Sequence, residues 1–194
     1  IAQSVRHLVA LGKEVLFDAE HFFDGYRHNP GYALDCLRAA AESGASRIVL
    51  CDTNGGAFPD EIAQVTQQVK KAVRAPLGIH CHDDSGMAVA GSIAAVQAGV
   101  RHVQGTLLGF GERCGNACLA TIIPNLQLKR GYRCIPPEKL ELLTPEARQV
   151  AELSNTSIQR GAPYIGSSAF AHKAGMHAAG VVKAAESFEH IAPA

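Results

Sequence analysis

Histidines 80 and 82, separated by one residue in the stretch LGIHCHDDSG (77–86), are the pair in this sequence best suited to hold a metal. On a β-strand, residues two apart project to the same side, so two imidazoles presented this way form half of a divalent-cation site. The same spacing also serves a pair of hydrogen-bonded histidines, and neighbouring residues must decide. The glycine-rich stretch GFGERCGN (109–116) offers the amide oxygen of Asn116. With it the set becomes a mixed nitrogen and oxygen site with open positions, suited to Mg²⁺, Mn²⁺ or Zn²⁺ acting as a Lewis acid on a carbonyl. Carboxylates just after a strand cap helices or orient a ligating imidazole; Asp83, and with it Glu112, is expected to support the ligands from behind. Cys114 and Cys118 form a lone CxxxC with no second pair, a weak zinc signal.

Three further residue groups could act on a substrate. Glu20 in FDAEH is placed for proton transfer or hydrogen bonding, or for a salt bridge. Thr53 in CDTNGG offers a hydroxyl to a carboxylate or carbonyl oxygen, or belongs to a turn in which Asp52 bonds backbone. Asp18 and Cys51, at the same strand ends, are the other candidate substrate contacts.

These residues recur at corresponding points of a repeated unit. Four times a short β-branched run leads through a polar or glycine-containing turn into an alanine-rich amphipathic stretch, from EVLFDAEHFFDG, SRIVLCDTNGG, LGIHCHDDSG and VQGTLLGFGERCGN. The following stretches have helical spacing with glycine or lysine near their ends. Such βα units require parallel strands, in a doubly wound sheet or in part of a (β/α)8 barrel. Loading of four successive strand ends with polar groups favours the barrel, whose chemistry sits in its βα loops. The expected fold is therefore α/β: the C-terminal half of a TIM barrel over residues 1–131, about four βα units. A linker and a small, mainly helical subdomain follow over 132–194.

Composition narrows the partners. The 194 residues carry no formal net charge and are 47% hydrophobic, so a core is affordable and nucleic acid is not expected. No apolar run approaches the roughly 20 residues of a membrane span, and the N-terminus lacks signal-peptide features; a cytoplasmic location is expected. Six irregularly spaced cysteines suggest reduced thiols. The chain starts at Ile1 inside an apolar-periodic segment and has its first methionine at Met87, which suggests a piece of something longer.

The segments DAEHFFDGY, LCDTNGG, GIHCHDDSG, GFGERCGN and IIPNLQLKRGY, followed by AFAHKAGMH, together resemble the 2-isopropylmalate, homocitrate and citramalate synthase family of DRE-TIM metallolyases. The likeness is nearest to the citramalate branch. It implies a metal-dependent Claisen condensation of acetyl-CoA with a 2-oxo acid, pyruvate in that branch, by a homodimer. It further implies His80, His82 and Asn116 as metal ligands, Thr53 as a contact to the substrate carboxylate, and Glu20 near the reacting carbons. His177 resembles a histidine that reaches a partner subunit's active site. The lyase branch, acting on 3-hydroxy-3-methylglutaryl-CoA, also has an HCHD-type strand, but GERCGN speaks for a synthase. The other alternative is an inactive assembly fragment.

Three departures stand out. The RDGxQ-like strand that brings the family's fourth ligand, an aspartate, and its arginine is absent; the third residue of HCHDD is Asp83 where asparagine is common; and Phe188 replaces a tyrosine. Half a barrel would also expose open sheet edges, so this chain alone is not expected to be a stable active enzyme.

Overall fold

Alternation along four short strands separates a polar face from an apolar one. The computed structural model describes residues 1–192; Pro193 and Ala194, the end of the expected subdomain, lie outside the described residues. Strands β1 (Leu16–Ala19), β2 (Arg47–Asp52), β3 (Leu77–Cys81) and β4 (His102–Gln104) are parallel and lie in the order β1-β2-β3-β4. This unreversed order is that of a barrel wall, whereas a doubly wound sheet reverses at a switch point.

Register aligns Asp18 with Val49, Val49 with Gly78 and Gly78 with His102; two residues further on, Cys51 aligns with His80 and His80 with Gln104. Aligned residues share a face, which collects Asp18, His80, His102 and Gln104 on one side. The opposite side carries Ile48, Leu50, Leu77, Ile79 and Cys81, all buried. Helices cover that apolar side, because burying it supplies the largest favourable free-energy term available to a sheet.

The covering helices begin where the residue types dictate. In the first compact unit, residues 1–118, these are α1 (Ala2–Ala10), α2 (Phe22–His28), α3 (Pro30–Glu42), α4 (Pro59–Ala72) and α5 (Ala88–Gln97). Helix α3 opens with Pro30, whose missing N–H costs nothing there, and the Asn29 carboxamide accepts from the N–H of Tyr32 at 3.1 Å. Helix α4 places Asp60 and Glu61 in its first turn and Lys70 and Lys71 in its last, matching the helix dipole at both ends. Gly91 lets α5 close on its neighbours: a Cβ there would lie 2.6 Å from Ile62 Cδ1 of α4.

The second unit, residues 119–194, contains α6 (Leu119–Arg130), a 3-10 turn (Pro137–Leu142), α7 (Leu143–Leu153), α8 (Gly175–Lys183) and a short 3-10 turn (Ala185–Ser187). Ile122, Leu126, Ala147, Ala151 and Ile165 are its buried residues, and Tyr164 Oη donates to Asn125 Oδ1 at 3.0 Å. No helix among the described residues is long and apolar enough to cross a membrane.

Candidate metal centre

The polar face is stacked in layers. In the lower one, Gly78 leaves room for the ring of His102: a Cβ at Gly78 would stand 2.9 Å from His102 Cδ2 and from Val49 Cγ2. His102 Nε2 is buried with no hydrogen-bond partner. Burial first, and then the charge of Arg47, holds its pKa below the ordinary 6.5. The unfolded chain therefore binds the extra proton more readily, so this contribution to stability is complete above about pH 6.5 and is lost as pH falls through the depressed value. Thermal melts between about pH 8 and 5 should show the wild type losing stability relative to His102→Gln on acidification. A gap that stays constant with pH would refute the assignment.

In the layer above, His80 Nδ1 lies 2.9 Å from Gln104 Oε1, and Gln104 Nε2 donates to Asp18 Oδ1 at 3.0 Å. The other ring nitrogen, His80 Nε2, faces His82 Nε2 at 3.4 Å. Two nitrogens each about 2.1 Å from a common ion and roughly tetrahedrally disposed would be separated by about this distance. Asn116 reaches His82 through a loop that folds back beyond β4, forming an isolated antiparallel bridge between the two residues. Its Nδ2 donates to the Phe110 carbonyl at 2.9 Å, while Oδ1 is buried without a partner, as is His82 Nδ1. Buried polar atoms are rarely left unpaired in native proteins. An unpaired amide oxygen beside two imidazoles whose Nε2 atoms face each other is a donor set that fits a divalent cation. Among the described residues no three His, Cys, Asp or Glu side chains converge on a metal position, so the set consists of two imidazoles and this amide.

The remaining expected residues are placed as follows. Thr53 accepts from the backbone N–H of His21 and donates to Glu20 Oε2, both at 2.7 Å. The hydroxyl thus holds the Glu20 carboxylate at the mouth of the strands. Asp52 turns the other way, its carboxylate accepting from the N–H groups of Gly56 and Ala57; burial raises its pKa despite those bonds. Cys51 is 1% exposed and its Sγ points at the Val49 carbonyl, with burial pushing the thiol's pKa well up. Asp83 Oδ1 accepts from the N–H of Ala88 at 2.9 Å, the first residue of α5. Glu112 is exposed on the loop, its carbonyl accepting from the N–H of Gly115. His177 lies in the second unit on α8, exposed, its ring 4.7 Å from that of Phe188.

Two residues outside those expectations complete the arrangement. Gln104 joins His80 to Asp18, and its only sequence signal is its position two residues after His102 on a strand. Arg113 forks onto Asp84, with Nε at 2.7 Å from Oδ1 and Nη2 at 2.9 Å from Oδ2, and also donates to the Thr53 carbonyl at 2.6 Å. It thereby ties the Asn116 loop to the ends of β2 and β3. The guanidinium holds Asp84 below the usual carboxylate range, so this tie is present above that range and is released as pH falls through the depressed value. The pair is partly exposed, and Arg113→Ala should barely change the melting temperature. It should instead speed amide exchange across residues 109–116; unchanged exchange would mean the fork does not order the loop.

Comparison with known proteins agrees in fold and in family. A family model described as HMGL-like matches residues 1–153, and one described as homocitrate synthase post-HMGL domain-like matches residues 164–194. An (R)-citramalate synthase of Aquifex aeolicus (strain VF5) is 55% identical over 194 residues, which is 100% of this chain and 37% of that protein. One from Synechocystis sp. is 50% identical, again across 100% of this chain and 37% of the relative. A 2-isopropylmalate synthase of Lactococcus lactis subsp. cremoris is 35% identical, covering 100% of this chain and 38% of its own length. The chain thus spans little more than a third of these curated relatives. Among solved structures, the carboxyl transferase domain of Rhizobium etli pyruvate carboxylase with pyruvate superposes with a TM-score of 0.61 at 21% identity, over 80% of this chain and 26% of that one. An HMG-CoA lyase from Acenitobacter baumannii in complex with coenzyme A and 3-methylmalate gives a TM-score of 0.57 at 16% identity, over 75% and 62%. At these identities the likeness is one of fold, and it makes the four parallel strands part of a TIM barrel.

Proposed function

Because this chain belongs to the HMGL-like family, we propose that it carries the metal-holding part of a cytoplasmic synthase that condenses acetyl-CoA with a 2-oxo acid, pyruvate, to give citramalate. The observation that carries this reading is the pair of facing His80 and His82 Nε2 atoms at 3.4 Å beside the unpaired amide oxygen of Asn116. Identity of 55% to a citramalate synthase over the whole chain favours pyruvate over longer oxo acids.

His80, His82 and Asn116 would hold the cation. When bound, a divalent cation supplies Lewis-acid polarisation of a ketone and neutralises charge developing on its oxygen. The chain's own residues do the rest. Thr53 donates a hydrogen bond and can exchange its partner, Glu20, for a substrate carboxylate oxygen, which leaves Glu20 free to handle a proton next to the reacting carbons. Asp18 stands beside them, held by Gln104. The resemblance assigns His177 to proton handling in a dimer.

Release of CoA thiol by the full protein, assayed with Mn²⁺ and acetyl-CoA against pyruvate, 2-oxoisovalerate and 2-oxoglutarate, tests the reading. Turnover is expected with pyruvate at a kcat/KM well above the other two. A preference for either longer acid would move the protein to the isopropylmalate or homocitrate branch, and cleavage of 3-hydroxy-3-methylglutaryl-CoA without condensation would overturn the synthase reading.

A further inference from the structure

We propose that Gln104 is a positioning residue that fixes His80 in a single tautomer, protonated on Nδ1, so that the Nε2 lone pair points at His82. A carboxylate can only accept hydrogen bonds. Gln104 lies 3.0 Å from Asp18 Oδ1, so the Gln104 atom facing Asp18 is its NH₂ group, and its carbonyl oxygen faces His80. That oxygen accepts at 2.9 Å and has nothing to donate, so His80 Nδ1 must carry the proton. The neutral ring then has its lone pair on Nε2, the nitrogen 3.4 Å from His82. Each step in this chain follows from one group that cannot act otherwise, and the chain starts at a residue on β1, 86 positions from Gln104.

The geometry is specific to this position. Register places His80 and Gln104 side by side on β3 and β4, while Asp18 lies two strands away on the same face. Gln104 has the length to bridge that distance. Outer groups that orient ligating imidazoles in this way change metal affinity by about 10–100-fold when removed. This consequence rests on the metal reading above; the tautomer does not.

The test uses the full protein with ¹⁵N-labelled histidine, free of metal, with the His80 signals identified by difference against His80→Gln. Long-range ¹H–¹⁵N spectra are expected to show Nδ1 as the protonated nitrogen of His80 in the wild type. Gln104→Leu should release the ring to a mixture richer in the Nε2–H form and weaken Mn²⁺ binding by about 10–100-fold. Asp18→Asn combined with Gln104→Glu reverses the polarity of the first link while keeping an oxygen at His80 Nδ1, and should restore the wild-type tautomer even if Gln104→Leu fails to fold. An Nε2–H ring in the wild type, or in the paired variant, would overturn the proposal, as would a tautomer unaffected by Gln104→Leu. If the wild type shows the Nδ1–H form but binds no Mn²⁺, the metal reading fails and the positioning role stands.

Discussion

Alanine at His80 or at Asn116 is expected to weaken Mn²⁺ binding by more than ~100-fold, beyond the range for loss of an outer partner. Each substitution removes one donor from a set of three, and the set has no spare: no other His, Cys, Asp or Glu among the described residues converges with them. The two variants should differ in their effect on the fold. His80→Ala breaks the link to Gln104 and leaves an amide oxygen in search of a donor, whereas Asn116→Ala also frees the Phe110 carbonyl from its bond to Nδ2. Asn116→Asp keeps an oxygen at the ligand position and should retain most of the affinity. Titration calorimetry with Mn²⁺ on full-length variants, each checked by circular dichroism for an intact fold, decides the matter. Binding of equal strength in wild type and both alanine variants would remove the site from these residues.

A comparable loss is expected from Gly115→Ala, where no ligand is touched. Gly115 has φ of +97°, a conformation that costs a side-chain-bearing residue about 1–3 kcal/mol. A Cβ there would sit 2.0 Å from the Gly109 carbonyl oxygen, the acceptor that holds the backbone N–H of Asn116 at 2.9 Å. The backbone must move, and the residue that moves with it is the amide ligand. Mn²⁺ affinity should fall by about 10-fold or more, in the range seen when ligand orientation is lost. Gly86→Ala provides the contrast. It has a similarly positive φ, +71°, but nothing within 4 Å of its added Cβ, so it should cost on the order of 1 kcal/mol in stability and leave Mn²⁺ binding unchanged. If both variants bind Mn²⁺ as the wild type does, the tight Gly109–Gly115 contact has no role in presenting Asn116.

Much of this arrangement can be read from residue order. Period two along SRIVLCD and LGIHC puts Ile48, Leu50, Leu77 and Ile79 on one face and His80 on the other, because side chains alternate on any strand. The repeated βα grammar indicates parallel strands, since a crossover helix leaves no other option. Capping residues such as Asn29 with Pro30 mark helix starts by chemistry local to a few residues. The pairing of His80 with His82 is equally local.

Other parts are not local. Neither Gln104 nor Arg113 belongs to a spacing that suggests a role, because their partners, Asp18 for the first and Asp84 with the Thr53 carbonyl for the second, are distant in sequence. Asp83 shows the same limit from the other direction: its type and position suit either an orienting carboxylate or a helix cap, and the backbone path into α5 puts its oxygen on Ala88.

The sequence by itself therefore determined which residues alternate, where helices begin and that parallel strands carry two imidazoles on one face, all properties of neighbours within a few positions. Tertiary structure decided the strand order, the 3.4 Å approach of the two imidazoles, the return of Asn116 to His82 and the Asp18–Gln104–His80 connection. These depend on register between strands and on a loop folding back, and register is set by the burial of a whole sheet face against its helices rather than by any residue in the site.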